Sequence, residues 1–117
     1  MVLLDARADP RQYLGQVKGA EVTKAGHIRT AECLPWTANT VVKKQGVYEL
    51  RQAGELERIY ASRNITSQTP RLVVYCRTGT EASMTYFVLR YLGFHPALYD
   101  GSFVEWSKTE TVASAER

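Results

Sequence analysis

The chain has 117 residues, 44% of them hydrophobic and 23% charged, and carries a net charge of +3. That length and composition fit one ordinary globular domain, and no apolar run is long enough to cross a membrane. The basic residues are scattered, with Lys43-Lys44 as the one adjacent lysine pair. This argues against a nucleic-acid surface and fits the local use of a few arginines on a small anion.

Val2-Leu3-Leu4 reads as a buried strand ended by Asp5-Ala6-Arg7. Asp9-Pro10 is a helix start, with Asp as N-cap and Pro in the first turn. Gly15 limits that helix to about two turns. Residues 18–26 read as a surface loop. Ala31-Glu32-Cys33-Leu34 is a second short strand stopped by Pro35, and 36–46 reads as loop with a turn at Gln45-Gly46. Tyr48 to Ala61 reads as an amphipathic helix with Leu50, Leu56, Ile59 and Tyr60 inward. A polar connector leads to Leu72-Val73-Val74-Tyr75, an apolar β-branched run suited to a parallel strand covered on both faces. Then follows a helix with Met84, Phe87, Val88, Tyr91 and Leu92 on one face, stopped at Gly93. Pro96-Ala97-Leu98-Tyr99 is a fourth strand, Asp100-Gly101-Ser102 a turn, and Phe103 to Lys108 a closing segment with Trp106. Residues 109–117 read as a loose polar tail. Strands alternating with helices imply an α/β fold with a parallel sheet.

Cys33 and Cys76 make neither a disulfide framework nor a metal-ligand spacing. With no signal-peptide segment, both are expected reduced in a cytoplasmic setting. Cys33 lies mid-strand and reads as structural. Cys76 is different, because it falls between the carboxyl end of a strand and the amino end of a helix. In an open α/β sheet that crevice is where ligands bind. The helix end supplies unpaired N–H groups and a positive partial charge, both of which favour thiolate over thiol.

Four separated stretches then resemble one family, the rhodanese (thiosulfate sulfurtransferase) superfamily, and the likeness runs over nearly the whole chain. Leu3-Leu4-Asp5-Ala6-Arg7 is similar to its opening Asp-x-Arg strand. Gly26-His27-Ile28 with Ala31 is similar to its Gly-His-Ile-Pro-Gly-Ala element, with Arg29-Thr30 departing from Pro-Gly. Tyr75-Cys76-Arg77-Thr78-Gly79 resembles the catalytic loop. Tyr99-Asp100-Gly101-Ser102-Phe103-Val104-Glu105-Trp106 resembles the closing motif of the catalytic domain in two-domain members. The resemblance implies a three-layer α/β/α sandwich, here without the family's usual first edge strand and helix. It also implies a single rhodanese-like domain over 1–117, either a piece of a tandem protein with an upstream rhodanese domain as partner or a short single-domain member.

What the resemblance implies for chemistry is transfer of a sulfane sulfur, with no cofactor. The Cys76 thiolate would attack the outer sulfur of thiosulfate, release sulfite and become a persulfide, which a thiophile such as cyanide or a thiol then discharges. Amides from Arg77, Thr78, Gly79, Thr80, Glu81 and Ala82 would ring the sulfur. Arg77 would hold the anion, and Arg11, six residues after Asp5, matches a substrate-binding arginine. Thr78 stands where thiosulfate-specific members carry lysine, and Glu81 puts a carboxylate beside the thiolate, which disfavours it. Mercaptopyruvate-using members typically have Gly-Ser at the place of Arg77-Thr78. His27, Asp5 and Arg7 read as structural, the last two as a pair. Two other readings stay open: a non-catalytic rhodanese-like binding module, and a cysteine phosphatase or arsenate reductase. The latter needs an arginine six residues after the cysteine, where this chain has Ala82.

Overall fold

A computed structural model describes residues 1–114. Four parallel strands form the central sheet in the order β2-β1-β5-β6: β1 (Val2–Asp5), β2 (Glu32–Cys33), β5 (Leu72–Tyr75) and β6 (Pro96–Leu98). Leu4 lies opposite Val74 and Glu32, and Val74 opposite Leu98. The chain leaves β1 toward one edge and β5 toward the other, so strand order reverses between these two central strands. That reversal opens a crevice at their carboxyl ends.

Alternate residues of the strands feed two separate cores, as the two-residue period of a strand requires. Leu4, Leu72 and Val74 pack with Leu56 and Tyr60 of α2 (Ala53–Ala61) and with Ala82, Val88 and Leu89 of α3 (Thr80–Tyr91). On the opposite face Tyr75 and Leu3 pack with Phe103, Val104 and Trp106 of α4 (Ser102–Thr109) and with Tyr13 of α1 (Pro10–Tyr13). The α/β/α sandwich expected from the sequence is therefore present. α1 is a single turn capped by Asp9, whose carboxylate accepts from the Arg11 amide.

Three expectations need correction. Residues 36–50 are not loop followed by helix. A 3-10 turn (Trp36–Asn39) leads into an antiparallel hairpin of β3 (Thr40–Lys44) and β4 (Val47–Leu50), and α2 begins only at Ala53. The turn at Gln45-Gly46 was legible, and Gly46 takes φ +77 there. The flanking Val41-Val42 and Val47-Tyr48 are β-formers whose pattern Lys43, Lys44 and Glu49 obscure. In α3 the buried face is Ala82, Thr85, Val88 and Leu89, while Phe87 and Tyr91 are 61% and 62% exposed. The stretch after α4 is docked as far as Ala113, which exchanges backbone hydrogen bonds with His27 at 2.8 and 2.9 Å. A Cβ on Gly26 would lie 2.1 Å from the Ala113 carbonyl oxygen, so only glycine permits this docking. Residues 115–117 of the expected tail lie outside the described residues.

Candidate active site

The β5–α3 junction is held from both ends. Below it, a buried polar cluster fixes the central strands. Arg7 donates to the Asp5 carboxylate through Nε (3.0 Å) and Nη2 (2.7 Å) and reaches the Gly26 carbonyl at 2.6 Å. Tyr75 donates its hydroxyl hydrogen to Asp5 (2.9 Å) and accepts from the Ile28 amide (3.0 Å). The Arg7 guanidinium also lies 4.3 Å from the centre of the Phe103 ring. A buried charge pair needs such extra partners to offset its desolvation. Burial, and then the nearby Asp5 charge, keep the Tyr75 phenol strongly on its neutral side.

Above the strand, Cys76 is buried and its Sγ accepts two backbone hydrogen bonds, from Gly79 at 3.0 Å and from Ala82 at 3.2 Å. Ala82 belongs to the first turn of α3, where amides have no intrahelical partner. The helix therefore directs both free donors and the positive end of its dipole at the sulfur. Gly79 makes the tight return possible. Its φ is +106, and a Cβ there would lie 2.8 Å from the Asp100 carbonyl oxygen.

The start of α4 closes the loop from behind. Cys76 donates its amide to Ser102 Oγ (3.1 Å), and Ser102 donates its hydroxyl hydrogen to the Tyr99 carbonyl (2.8 Å). Phe103 and Val104 donate their amides to the carbonyls of Cys76 and Arg77, both at 2.9 Å. Ser102 is fully buried and takes φ +55, a conformation that costs a non-glycine residue on the order of 1–3 kcal/mol and persists only where surroundings enforce it. The sequence places Ser102 in a turn. Its signal was the Asp-Gly-Ser stretch just before a helix, but nothing local says that the hydroxyl faces the cysteine 26 residues earlier.

The other residues named from the sequence are dispersed. Arg77 lays its side chain across Gly19 and donates through Nη1 to the Ala20 carbonyl at 3.0 Å. Gln12 also meets the space above Gly19, which puts α1 beside Arg77. Arg11 is turned to Asp9, with Nη2 2.8 Å from Oδ2, and its side chain is 63% exposed. That partner, first through its side-chain hydrogen bond, holds the Asp9 carboxyl below its usual range. Thr78 and Thr80 are exposed and Glu81 half-buried. Cys33 has no such setting: burial, reinforced by Asp5, pushes its thiol up. His27 stacks on Tyr13 at 3.7 Å and contacts the Tyr13 carbonyl through Nδ1 at 2.8 Å. Asp5, Arg7 and His27 are thus engaged in the scaffold, as their sequence context suggests. Among the described residues no cluster of His, Cys, Asp and Glu could hold a metal ion. A concavity of about 460 Å³ lies away from Cys76, beside Arg51, Glu55 and Arg58. A sulfur atom needs converging donors and little room, and the turn at Cys76 supplies the donors.

A parallel α/β/α sandwich with a cysteine cradled by amides at its switch point defines a class of proteins built around one cysteine. The chain matches the Rhodanese-like domain over residues 1–109, and it belongs to that family. It is 38% identical over 105 residues to the thiosulfate sulfurtransferase of Corynebacterium glutamicum, covering 88% of this chain and 31% of that protein. It is 35% identical over 124 residues to the sulfur carrier protein TtuD of Thermus thermophilus, covering 97% and 41%. Among solved structures, an anaerobic ergothioneine biosynthesis enzyme from Chlorobium limicola, in complex with its natural substrate trimethyl histidine, superposes with a TM-score of 0.78 at 26% identity, over 95% of this chain and 28% of that one. The chain thus spans between a quarter and a half of the length of these relatives.

Proposed function

We propose that this protein is a sulfurtransferase of the rhodanese type, carrying a sulfane sulfur as a persulfide on Cys76. The observation that carries the reading is the pair of amides, Gly79 and Ala82, converging on Sγ within 3.2 Å at the head of α3. Such donors are aimed where negative charge rests in the thiolate and where it returns when the persulfide is discharged. In the first step the thiolate attacks the outer sulfur of the donor. For thiosulfate the S–S bond breaks and sulfite departs with the electron pair. In the second step a thiophilic acceptor attacks the outer sulfur of the persulfide and restores the thiolate. The loop amides of Arg77, Thr78, Thr80 and Glu81 line the rest of the turn and are assigned to the outer sulfur. Arg77 is assigned to the donor's oxyanion, to which it can turn by releasing one carbonyl. The assignment of Arg11 is weaker, since its guanidinium is already bidentate on Asp9.

The names of the relatives support sulfur chemistry, and Ala82 supports sulfur over phosphate as the cradled group. We read the partners as a small sulfur donor and a thiophilic acceptor, together with a second rhodanese domain. The greater length of the relatives supports that last partner. A cytoplasmic, reducing location is the reading supported by two free thiols. The test is intact-mass measurement after incubation with thiosulfate and, separately, with 3-mercaptopyruvate. One sulfur atom should be gained, removed by cyanide, and absent in Cys76→Ser. A gain that survives the substitution, or thiocyanate formed by Cys76→Ala at the wild-type rate, would sink the reading.

A further inference from the structure

The Cys76 loop carries charges of both signs, and its carboxylates have no part in binding the anionic sulfur donor. Arg11 is committed to Asp9. Arg77 is drawn away over Gly19 to the Ala20 carbonyl. Beside the cradle stand two carboxylates, Glu81 and Asp100, whose side chains make no hydrogen bond or ion pair among the described residues.

Covalent geometry bounds their distance from the sulfur. The Ala82 amide nitrogen is 3.2 Å from Sγ. The Glu81 Cα is two bonds from that nitrogen, so the Glu81 carboxyl carbon lies within roughly 10 Å of Sγ in every rotamer. Asp100 Oδ1 is 3.2 Å from the position a Gly79 Cβ would take, and the Gly79 nitrogen is 3.0 Å from Sγ. That oxygen therefore lies within roughly 9 Å of the sulfur. Both residues reach solvent, Asp100 being exposed and Glu81 half-buried. They can meet the far end of a small molecule whose sulfur is in the cradle.

Resting on the persulfide reading, we propose that Glu81 and Asp100 are specificity-determining residues that direct the site toward a cationic aminothiol as sulfur acceptor and away from anionic thiols. The acceptor thiolate attacks the outer sulfur of the Cys76 persulfide. A new S–S bond forms to the acceptor, the old one breaks, and its electron pair returns to Sγ. No oxidant or reductant enters. The positive end of α3 acts on the sulfur inside the cradle. The carboxylates act on the ammonium carried a few bonds away. At such separations near solvent, one carboxylate favours a unit positive charge by roughly twofold to fivefold, and disfavours a negative one by as much.

The experiment uses the whole chain loaded with sulfur, discharged to three small thiols: cysteamine with an ammonium, 2-mercaptoethanol with none, and mercaptoacetate with a carboxylate. Rates are compared per thiolate, at low and high salt. Cysteamine should lead, mercaptoacetate should trail by roughly tenfold or more, and salt should narrow the spread. Glu81→Gln should shrink the cysteamine-to-mercaptoacetate ratio at least threefold, and Asp100→Asn should shrink it further. A second arm needs no persulfide: modification of Cys76 by methanethiosulfonates bearing an ammonium or a sulfonate, with Cys76→Ser subtracting Cys33. The ammonium reagent should react faster, and Glu81→Gln should reduce that preference. A persulfide that passes to all three thiols alike, or an order that both variants leave intact, overturns the acceptor assignment alone. Failure of every donor to load Cys76 overturns the sulfur-transfer reading and the acceptor with it.

Discussion

Cys76 is framed by neighbours both near and far in sequence. Its sulfur faces Gly79 and Ala82, its amide is tied to Ser102, and its carbonyl accepts from Phe103. The first pair was readable from a strand–cysteine–glycine–helix pattern. The second was not, because a hydrogen bond across 26 residues leaves no local trace. Ser102→Ala removes the acceptor of a buried amide and should lower stability by about 1–3 kcal/mol in urea unfolding. If Ser102 also positions the loop, single-turnover sulfur transfer should slow with little change in the donor concentration giving half-maximal rate. Stability loss with an unchanged single-turnover rate would reduce Ser102 to a structural residue. The same contrast separates the two cysteines, one cradled by donors and the other with its thiol pushed up by burial.

Elements were legible where one physical signal dominated. The four parallel strands stand out as short apolar runs ended by Asp, Pro or a turn, and α3 by its length. The β3–β4 hairpin was lost because its outer surface is charged and its strands are only five and four residues long. Two-stranded ribbons of that size draw little stability from themselves. In α3, periodicity located a helix but not its buried side, since apolar residues occupy both. Small Ala82 and Thr85 face inward, and Thr85 accepts from Asn39 at 3.2 Å beside the 3-10 turn. Leu89→Ala should therefore cost about 2–5 kcal/mol, whereas Phe87→Ala should stay within about 0.5 kcal/mol. Chemical denaturation of the two variants checks this, and equal losses would restore the face that the sequence suggested.

At the scale of the whole molecule, buried phenols make the fold sensitive to alkali. Tyr60 and Tyr75 are fully buried, and burial shifts both upward. Tyr99 is pushed up to about 12, first by burial and then by its hydrogen bond to Glu105. Each raised group keeps its proton in the fold after an unfolded chain has released it. Their contribution is intact below the unfolded value of about 10 and falls as pH rises through the folded values. Denaturation midpoints should drop steadily from about pH 10 upward. Tyr99→Phe should soften the early part of that drop only slightly, because Tyr60 and Tyr75 carry most of it.

The clamp that α4 places on Cys76 has a further consequence during synthesis. Domains emerge from the ribosome amino end first, so β5, the cysteine and α3 are exposed to the cell before Ser102, Phe103 and Val104 can bind the loop. A nascent chain halted before Ser102 has Cys76 but not the tie on its amide, nor the donors for the Cys76 and Arg77 carbonyls. The backbone of the Cys76 turn is thus fixed only once α4 has been made, although the amides facing its sulfur are already in place.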